Sequence, residues 1–401
     1  MARPDREELG AALGAALGGT VHDLRRLSGG ASRITSAFDL EDEDDQGAPR
    51  RRPLIVQTDR GDAGSRDGRV PMEEALLAGA RAAGVPVPAV VASGDGTGDG
   101  VGAAWLVVER LEGETIPRKI LRDPQWQDAR GALTAQCGRA LAAIHTIDPT
   151  SIPGLPPTDP LADPLPYLDL LGEARPALEL GARWLVSHRP AAGPTVTVHG
   201  DFRLGNLLVG PEGLRGVLDW ELAHGGDPAE DIGWLSAPAW RFGGPGEVGG
   251  FGDVADLLAA YQEAGGRDVD RARVHWWQVY ATVKWATICA LQASAHLSGS
   301  TRSVELAAIG RRVCESEWDL FVLLGVTPTG SEADAAGTPA ALAPFGRPTA
   351  AELVEAVREY VEKGVMAGSS GSAQFEARVA RNALGVVERE LHLGPAIVAA
   401  H

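Results

Sequence analysis

Strand patterns and helix patterns are segregated along this chain of 401 residues. After one leading helix, residues 1–112 read mainly as strands and turns. From residue 113 to about 325, apolar residues recur instead at helical spacing. A chain in which strands come first and helices follow is expected to fold as an α+β protein. It is also too long for one compact core, so two or three lobes or domains are predicted.

Two predicted strands, residues 34–40 and 53–59, flank a charged insert with the sequence "EDEDDQGAPRRR", residues 41–52. The insert is acidic and contains the turn-forming residues Gly47 and Pro49. We therefore expect residues 41–52 to form a solvated loop between the two strands.

The composition excludes several classes of protein. A net charge of −17 and a pI near 5.0 argue against binding to nucleic acid or to an anionic membrane, because phosphate contacts need basic patches. The first ten residues have no apolar core like that of a signal peptide. The most apolar helical stretch carries Lys284, Gln292 and His296 and is too mixed to span a bilayer. We expect a cytoplasmic protein that acts on neither nucleic acid nor membrane.

The end of the chain is organised differently. Residues 328–346 form a linker of low complexity, and residues 347–401 form two predicted amphipathic helices. The first of these helices is predicted to start with a capping box from Thr349 to Glu352. A helical hairpin this small must dock on the main body or on another chain. A homodimer, or a protein partner held through this hairpin, is therefore predicted as one alternative.

The sequence "VHGDFRLGNLLVG", residues 198–210, places several polar residues between two runs of β-formers. Asp201 and Asn206 are five residues apart, and Asp219 follows at the end of the next predicted strand. Strands joined by tight turns would bring the three side chains to one edge. Two carboxylates and an amide oxygen suit Mg²⁺, which prefers oxygen ligands. With metal held on nucleotide phosphates by Asn206 and Asp219, Asp201 could accept a proton from a hydroxyl group.

Three blocks in the same order, "HGDFRLGN", "VLDWE" and "GGDPAEDIGWL", resemble the aminoglycoside phosphotransferase and choline kinase-like family of small-molecule kinases. The resemblance covers residues 22–325. It implies a bilobal protein-kinase-like fold, with a small and mainly antiparallel β N-lobe over 1–112 and a larger, mainly helical C-lobe over 113–327. The implied activity is transfer of the γ-phosphate of ATP or GTP to a hydroxyl of a small molecule. The tail over 347–401 resembles a helical module of unknown function.

The resemblance also implies roles for the residues of these blocks. Asp201 corresponds to the catalytic base, and Asn206 and Asp219 correspond to the Mg²⁺ ligands. Asp231 is expected to support the catalytic loop, and Asp227 to do likewise. His199 is expected to be a buried hydrogen-bonding strut, and His145 a core or capping residue, whereas the role of Glu221 is left open.

Upstream, the sequence "LSGGASRIT" is similar to the family's glycine-containing turn, which places Gly29, Gly30 and Ser32 over the phosphates. The sequence "VVERLEG" falls where the family binds adenine through backbone atoms, from Glu109 to Leu111. Glu73 is expected to supply the carboxylate partner of a phosphate-binding lysine, with its neighbour Glu74 as a rival.

One position departs from the family pattern. The family's third strand carries a basic residue where this chain has Gln57, and residues 1–112 contain no lysine. A cation there would bind the phosphates by charge-assisted hydrogen bonds, which are stronger than neutral ones. Three alternatives follow: Arg60 or another arginine supplies the charge, nucleotide binding is weak, or the chain is a degenerate kinase. In the last case it would act through a partner of the C-terminal hairpin.

Overall fold

The computed structural model describes residues 4–27, 33–59, 69–162, 167–168, 175–301, 304–326 and 350–400. The strands are β1 (Thr20–Arg26), β2 (Arg33–Glu43), β3 (Pro49–Asp59), β4 (Val90–Gly94), β5 (Trp105–Glu109), β6 (Val196–Val198), β7 (Leu207–Gly210), β8 (Gly213–Val217) and β9 (His224–Gly226). The helices are α1 (Arg6–Leu17), α2 (Arg69–Ala82), α3 (Pro117–Arg122), α4 (Gln127–Ile144), α5 (Pro176–Ser187), α6 (Ala229–Ser236), α7 (Val254–Glu263), α8 (Arg271–Leu297), α9 (Val304–Ile309), α10 (Arg312–Leu323), α11 (Ala350–Tyr360) and α12 (Gly371–Ala400).

The chain divides into two compact units. The first contains Met1–Ala162 and Leu185–Ala281, and the second contains Asp163–Trp184 and Thr282–His401. The domain boundaries that the sequence predicts, after residues 112, 327 and 346, stay predictions.

The strand-rich part of the first unit is an antiparallel sheet, which among the described residues has five strands in the order β1-β2-β3-β5-β4. Helix α1 packs against it and begins with a capping box, in which Asp5 and Glu8 each accept a hydrogen bond from the other's backbone N–H. Apolar residues from the helix and the strands form the core beneath the sheet: Leu13, Phe38, Leu40, Leu54, Val56, Trp105 and Val107. The sheet and the helical remainder confirm the predicted kinase-like α+β fold.

The expectation of a loop over residues 41–52 is wrong, because the structure extends β2 and β3 through most of this segment. Only residues 44–48 remain as a turn. The acidic and basic residues face each other across the hairpin, with Arg50 Nε 2.8 Å from Asp42 Oδ1 and Arg52 also bonded to Asp42. Opposite charges on neighbouring strands stabilise a sheet. The charges that indicated a loop therefore hold a sheet extension together.

Two short antiparallel strand pairs, β6 with β9 and β7 with β8, are embedded among the helices of the first unit. Below them, α4 and α7 approach each other closely, and a Cβ added at Gly138 would lie 2.8 Å from the carbonyl oxygen of Leu257. The β6–β9 pair aligns Val198 with His224, and the β7–β8 pair aligns Leu207 with Val217. The polar residues between 198 and 220 therefore lie on the loops that connect these strands.

In the second unit, α11 and α12 pack on each other and α12 also contacts α9. Arg358 of α11 forms an ion pair with Glu388 of α12, with its Nε 3.0 Å away, and Arg381 Nη2 of α12 lies 3.3 Å from Glu362, just after the end of α11. Helices at the end of the chain are thus present as predicted, and a dimer or partner held through them stays a prediction. The linker, Thr349 and the side chain of Glu352 lie outside the described residues. None of the described helices is both long and apolar enough to cross a membrane.

Candidate active site

Asp201 sits on a sharp turn directly after β6. The turn needs a glycine at position 200, where φ is 80° and an added Cβ would lie 2.3 Å from the carbonyl oxygen of Leu222. The Asp201 carboxylate is held by two donors on one oxygen: Arg203 Nε and Trp234 Nε1 each lie 2.9 Å from Oδ1. Because the turn and both donors restrain this carboxylate, it has a defined direction.

Asn206 is bonded directly to Asp201. Its Nδ2 lies 2.6 Å from Asp201 Oδ2 and 3.0 Å from the Asp201 carbonyl oxygen. The amide nitrogen is committed to Asp201, so Oδ1 is the atom that Asn206 can offer to a ligand. The N–H of Leu218 donates to the Asn206 carbonyl oxygen at 2.9 Å, which ties this loop to the residue before Asp219.

Asp219 follows β8 in a left-handed backbone conformation, with φ of 65°. This region is uncommon for residues other than glycine, although aspartate tolerates it better than most, and such residues concentrate at functional sites. Burial, together with the negative charges of Glu221, Asp201 and Glu73, raises the pKa of Asp219 to about 7. A carboxylate that resists ionisation among other carboxylates would be stabilised by a bound cation.

Asn206 and Asp219 line a cavity of about 480 Å³ in the first unit. The cavity also brings together the predicted binding residues Gln57, Glu73, Glu109 and Leu111, along with Arg33 and Glu221. Asp201 joins this group through its hydrogen bond to Asn206. The predicted phosphate-contacting residues Gly29, Gly30 and Ser32, and Arg60, lie outside the described residues.

Between the two predicted carboxylate partners, the geometry distinguishes Glu73 from Glu74. Glu73 is 5% exposed and faces the cavity, where it forms an ion pair with Arg33. Glu74 instead accepts a hydrogen bond from Ser93 Oγ, at 2.7 Å, on the exposed side of α2. Glu73 is therefore the carboxylate that belongs to the site.

Asp231, at the start of α6, anchors the turn that carries Asp201. One of its oxygens accepts a 2.9 Å hydrogen bond from the N–H of His199, and the other accepts one of equal length from the N–H of Gly200. His145 Nε2 lies 3.3 Å from the same carboxylate. Burial alone would raise the pKa of Asp231, but His145 and these N–H donors together hold it below its usual value. Asp231 is thus a buried carboxylate that fixes the backbone before Asp201.

His199 uses both ring nitrogens within the loop. Nε2 donates to the carbonyl oxygen of Leu218 at 3.1 Å, and Nδ1 accepts from the N–H of Asp201 at 3.2 Å. Burial lowers the pKa of His199, in agreement with a neutral ring. Both ring nitrogens of His199 are therefore used in hydrogen bonds within this loop.

In the described structure, Asp227 does not hydrogen-bond to the turn that carries Asp201 but binds the start of α6. It accepts hydrogen bonds from Arg273 Nε and, at 2.9 Å, from the N–H of Ala229, so it caps the start of α6. It is connected to the turn at Asp201 through α6, the helix that carries Asp231 and Trp234.

Three residues that the structure brings to this site were not predicted from the sequence: Arg33, Arg203 and Trp234. Arg203 was within reach because it lies inside the central motif. Arg33 required the pairing of β2 with β3, which aligns Thr35 with Gln57 and so puts Arg33 on the same face as Gln57. Trp234 is 33 residues from Asp201 in the chain, and no local pattern signals their contact.

Residues 23–277, more than half of the chain, match the model of the phosphotransferase enzyme family. The chain belongs to this family. A solved structure of a candidate aminoglycoside phosphotransferase from Ralstonia eutropha JMP134 aligns with a TM-score of 0.61 and 22% identity, over 80% of this chain and 98% of that one. Spectinomycin phosphotransferase, solved with ADP and spectinomycin, aligns with a TM-score of 0.58 and 14% identity, over 80% of this chain and 99% of that one. At these identities the likeness shows the fold.

Among proteins compared by sequence, mouse acyl-CoA dehydrogenase family member 10 is 32% identical over 165 residues. The match covers 37% of this chain and 15% of that protein. Mouse acyl-CoA dehydrogenase family member 11 is 28% identical over 151 residues, which cover 34% of this chain and 19% of that protein. The chain therefore spans less than a fifth of the length of these relatives.

Proposed function

We propose that this family member moves the γ-phosphate of ATP or GTP to a hydroxyl group of a small molecule. The observation that carries the proposal is the arrangement of Asp201, Asn206 and Asp219. The first two are joined by a 2.6 Å hydrogen bond, and the last two line one cavity. Phosphoryl transfer needs mainly positioned groups and neutralised charge, which such an arrangement can supply.

In this proposal Asp201 is the catalytic base. Its carboxylate accepts the proton of the acceptor hydroxyl, the hydroxyl oxygen bonds to the γ-phosphorus, and the bond to the β–γ bridging oxygen breaks. The nucleoside diphosphate keeps that bridging oxygen and its electron pair. Arg203 and Trp234 keep the carboxylate in line throughout, because both donate to Oδ1.

The donor set at Asn206 and Asp219 fits Mg²⁺. Among the described residues there is no group of three or more histidine, cysteine, aspartate or glutamate side chains that could hold a metal alone. Mg²⁺ does not need such a group, because it is usually held by one or two carboxylates together with substrate phosphates and water. We assign Asn206 Oδ1 and the Asp219 carboxylate as its protein ligands. When bound there, Mg²⁺ would neutralise charge on the β- and γ-phosphates.

The backbone from Glu109 to Leu111, which lines the same cavity, suits the nucleotide base. The N–H groups of Glu109 and Arg110 donate to the carbonyl oxygens of Ala89 and Pro53. The N–H of Leu111 makes no hydrogen bond within the described part of the chain and can donate to a base. The proposed order along the cavity is therefore base at Leu111, phosphates beside Asn206 and Asp219, and Gly29, Gly30 and Ser32 over the phosphates.

Thermal stability with Mg·ATP and Mg·GTP tests the nucleotide site. A ligand at about a hundred times its dissociation constant should stabilise the protein by about 2.7 kcal/mol. The shift is expected with one or both nucleotides, and Asp219→Ala should remove the part that depends on Mg²⁺. No shift with either nucleotide would overturn the proposal and favour a degenerate kinase.

Transfer is tested separately, by following nucleoside diphosphate release with a panel of hydroxylated small molecules. Release that depends on the acceptor and disappears in Asp201→Ala is the expected result. Acceptor-dependent release that survives Asp201→Ala would rule out Asp201 as the base.

A further inference from the structure

Arg33, the first residue of β2, is a buried cation on the wall of the nucleotide cavity. It is 7% exposed and lines the cavity with Asp219 and Gln57. Its Nη1 forms the ion pair with Glu73, and its Nε lies 3.2 Å from Asp59 Oδ1. A buried arginine with two carboxylate partners has a fixed position, because both ends of its guanidinium are held.

The register of the sheet puts this guanidinium next to Gln57. Thr35 pairs with Gln57 and Arg33 pairs with Asp59, so Arg33 and Gln57 are diagonal neighbours on the face that lines the cavity. Gln57 Oε1 lies 3.5 Å from Arg33 Nη1. The positive charge that is missing at Gln57 of β3 is therefore supplied beside it by Arg33 of β2.

One donor group of the guanidinium is not engaged by any other described residue. Nε and Nη1 are engaged by Asp59, Gln57 and Glu73, whereas Nη2 makes no hydrogen bond within the part of the chain that the structure describes. Burial would lower the pKa of Arg33, but the carboxylates of Glu73, Asp59 and Glu221 together more than compensate and raise it, so the group is charged. Because Arg33 lines the cavity, an N–H pair that is not engaged by another described residue can donate to phosphate oxygens of a ligand there.

The other arginines at the cavity are placed differently. Arg110 Nη2 is bonded to Asp39 at 2.8 Å, and Arg25 is exposed on β1. Neither contacts the Glu73 carboxylate in the described structure. Arg33 is thus the buried cation that is held by carboxylates from both α2 and the sheet.

We propose that Arg33 is the phosphate-binding cation of this site, supplied from β2 in place of the basic residue expected on β3. Gln57 and Glu73 are its positioning residues. The inference rests on the proposed function, since it assumes that the diphosphate group of a nucleotide binds in the cavity.

The experiment exchanges the charge between the two strands. Dissociation constants for Mg·ADP, Mg·GDP and the matching nucleosides are measured for the native chain, Arg33→Gln, Gln57→Lys and the double variant Arg33→Gln/Gln57→Lys. Losing a charge-assisted contact should weaken diphosphate binding by roughly 10- to 100-fold in Arg33→Gln and leave nucleoside binding unchanged. The double variant should recover most of the loss. Gln57→Lys alone should bring no gain, because it places a second cation beside Arg33.

Two further variants separate phosphate binding from folding. Arg33→Gln leaves Glu73 buried without its partner, so Arg33→Gln/Glu73→Gln removes both charges and should fold while still losing diphosphate affinity. Arg52→Gln breaks an ion pair in the same hairpin, away from the cavity, and should leave both ligands' affinities as they are. Circular dichroism checks that each variant is folded.

Four results would overturn the inference: native diphosphate affinity in Arg33→Gln, an equal loss for nucleosides and diphosphates, no recovery in the double variant, or a gain in Gln57→Lys alone. Each of these leaves the proposed function standing as long as the native chain binds a Mg·nucleotide. A native chain that binds neither Mg·ADP nor Mg·GDP would overturn both.

Discussion

At the scale of single residues, the indole of Trp234 is the least expected part of the site. It donates to the same Asp201 oxygen as Arg203 and packs against Trp240, with ring centres 5.4 Å apart. A hydrogen bond to a charged acceptor contributes about 1.5–3 kcal/mol. Trp234 therefore orients the Asp201 carboxylate, which is the base in the proposed mechanism.

Trp234→Phe removes this hydrogen bond and keeps most of the packing. We expect kcat to fall by about tenfold or more, since the lost bond holds the base in line, with KM for the nucleotide close to native. The matched control is Trp276→Phe, which removes a 3.0 Å bond from a buried indole to the Leu185 carbonyl oxygen. An equal fall of kcat in both variants would show a general packing effect instead.

Asp219 predicts a pH dependence of Mg²⁺ binding. Its pKa is about 7, so in the metal-free protein a proton competes with the cation for this carboxylate. Apparent Mg²⁺ affinity should fall by up to about tenfold for each pH unit below about 7. Because the raised pKa favours the protonated form in the fold, the metal-free protein should also lose stability as pH rises from about 4 to about 7.

The measurement is the Mg²⁺ dependence of unfolding temperature, with ADP present, at several pH values. Asp219→Asn carries no titrating group at this position and serves as the control. If the variant kept the native pH dependence, the proton would have to bind elsewhere.

At the scale of elements, the turn between β6 and the β7 hairpin depends on a glycine for two separate reasons. Gly200 has a positive φ, and the carbonyl oxygen of Leu222 occupies the place of a side chain. Gly84 shares only the first property, with φ of 84° and nothing within 4 Å of an added Cβ. The pair can therefore separate backbone strain from crowding.

Gly84→Ala should lower the free energy of unfolding by about 1–2 kcal/mol through strain alone. Gly200→Ala should cost more by at least about 1–3 kcal/mol, because the backbone must also move away from Leu222. Denaturant unfolding gives both values, and turnover should fall in Gly200→Ala only. Equal losses of stability in the two variants would mean that the Leu222 backbone moves away from the added methyl group at no energetic cost.

The sequence predicted elements well where signals are local. The antiparallel sheet and the helical remainder follow from patterns within single strands and helices. Asn206 and Asp219, which both line the cavity, lie within 21 residues of Val198. The predicted loop over residues 41–52 is wrong because a single segment does not show which charges will face it from the neighbouring strand. Arg50 and Asp42 neutralise each other across the hairpin. Arg33 was missed for the same reason, because its partner Glu73 is 40 residues away.

At the scale of the whole molecule, the net charge of −17 opposes the approach of an anionic nucleotide. Without Mg²⁺, the association rate of ATP should therefore rise severalfold as salt screens this repulsion, between about 20 and about 200 mM. Adenosine, which is uncharged, provides the control and should show little change. Stopped-flow binding measures both rates. A rate for ATP that falls with salt would show that local arginines outweigh the charge of the chain.

The hairpin that makes Arg33 a diagonal neighbour of Gln57 also bears on how such chains are classified. A search that demands a lysine at one position of the third strand would label this protein inactive. A search that asks whether any cation reaches the buried carboxylate of α2, Glu73, would keep it as a candidate enzyme. If the charge exchange behaves as proposed, activity in this family requires a cation at one location in the site, and more than one strand can supply it. Lists of degenerate family members that are based on a single alignment column will then include active enzymes.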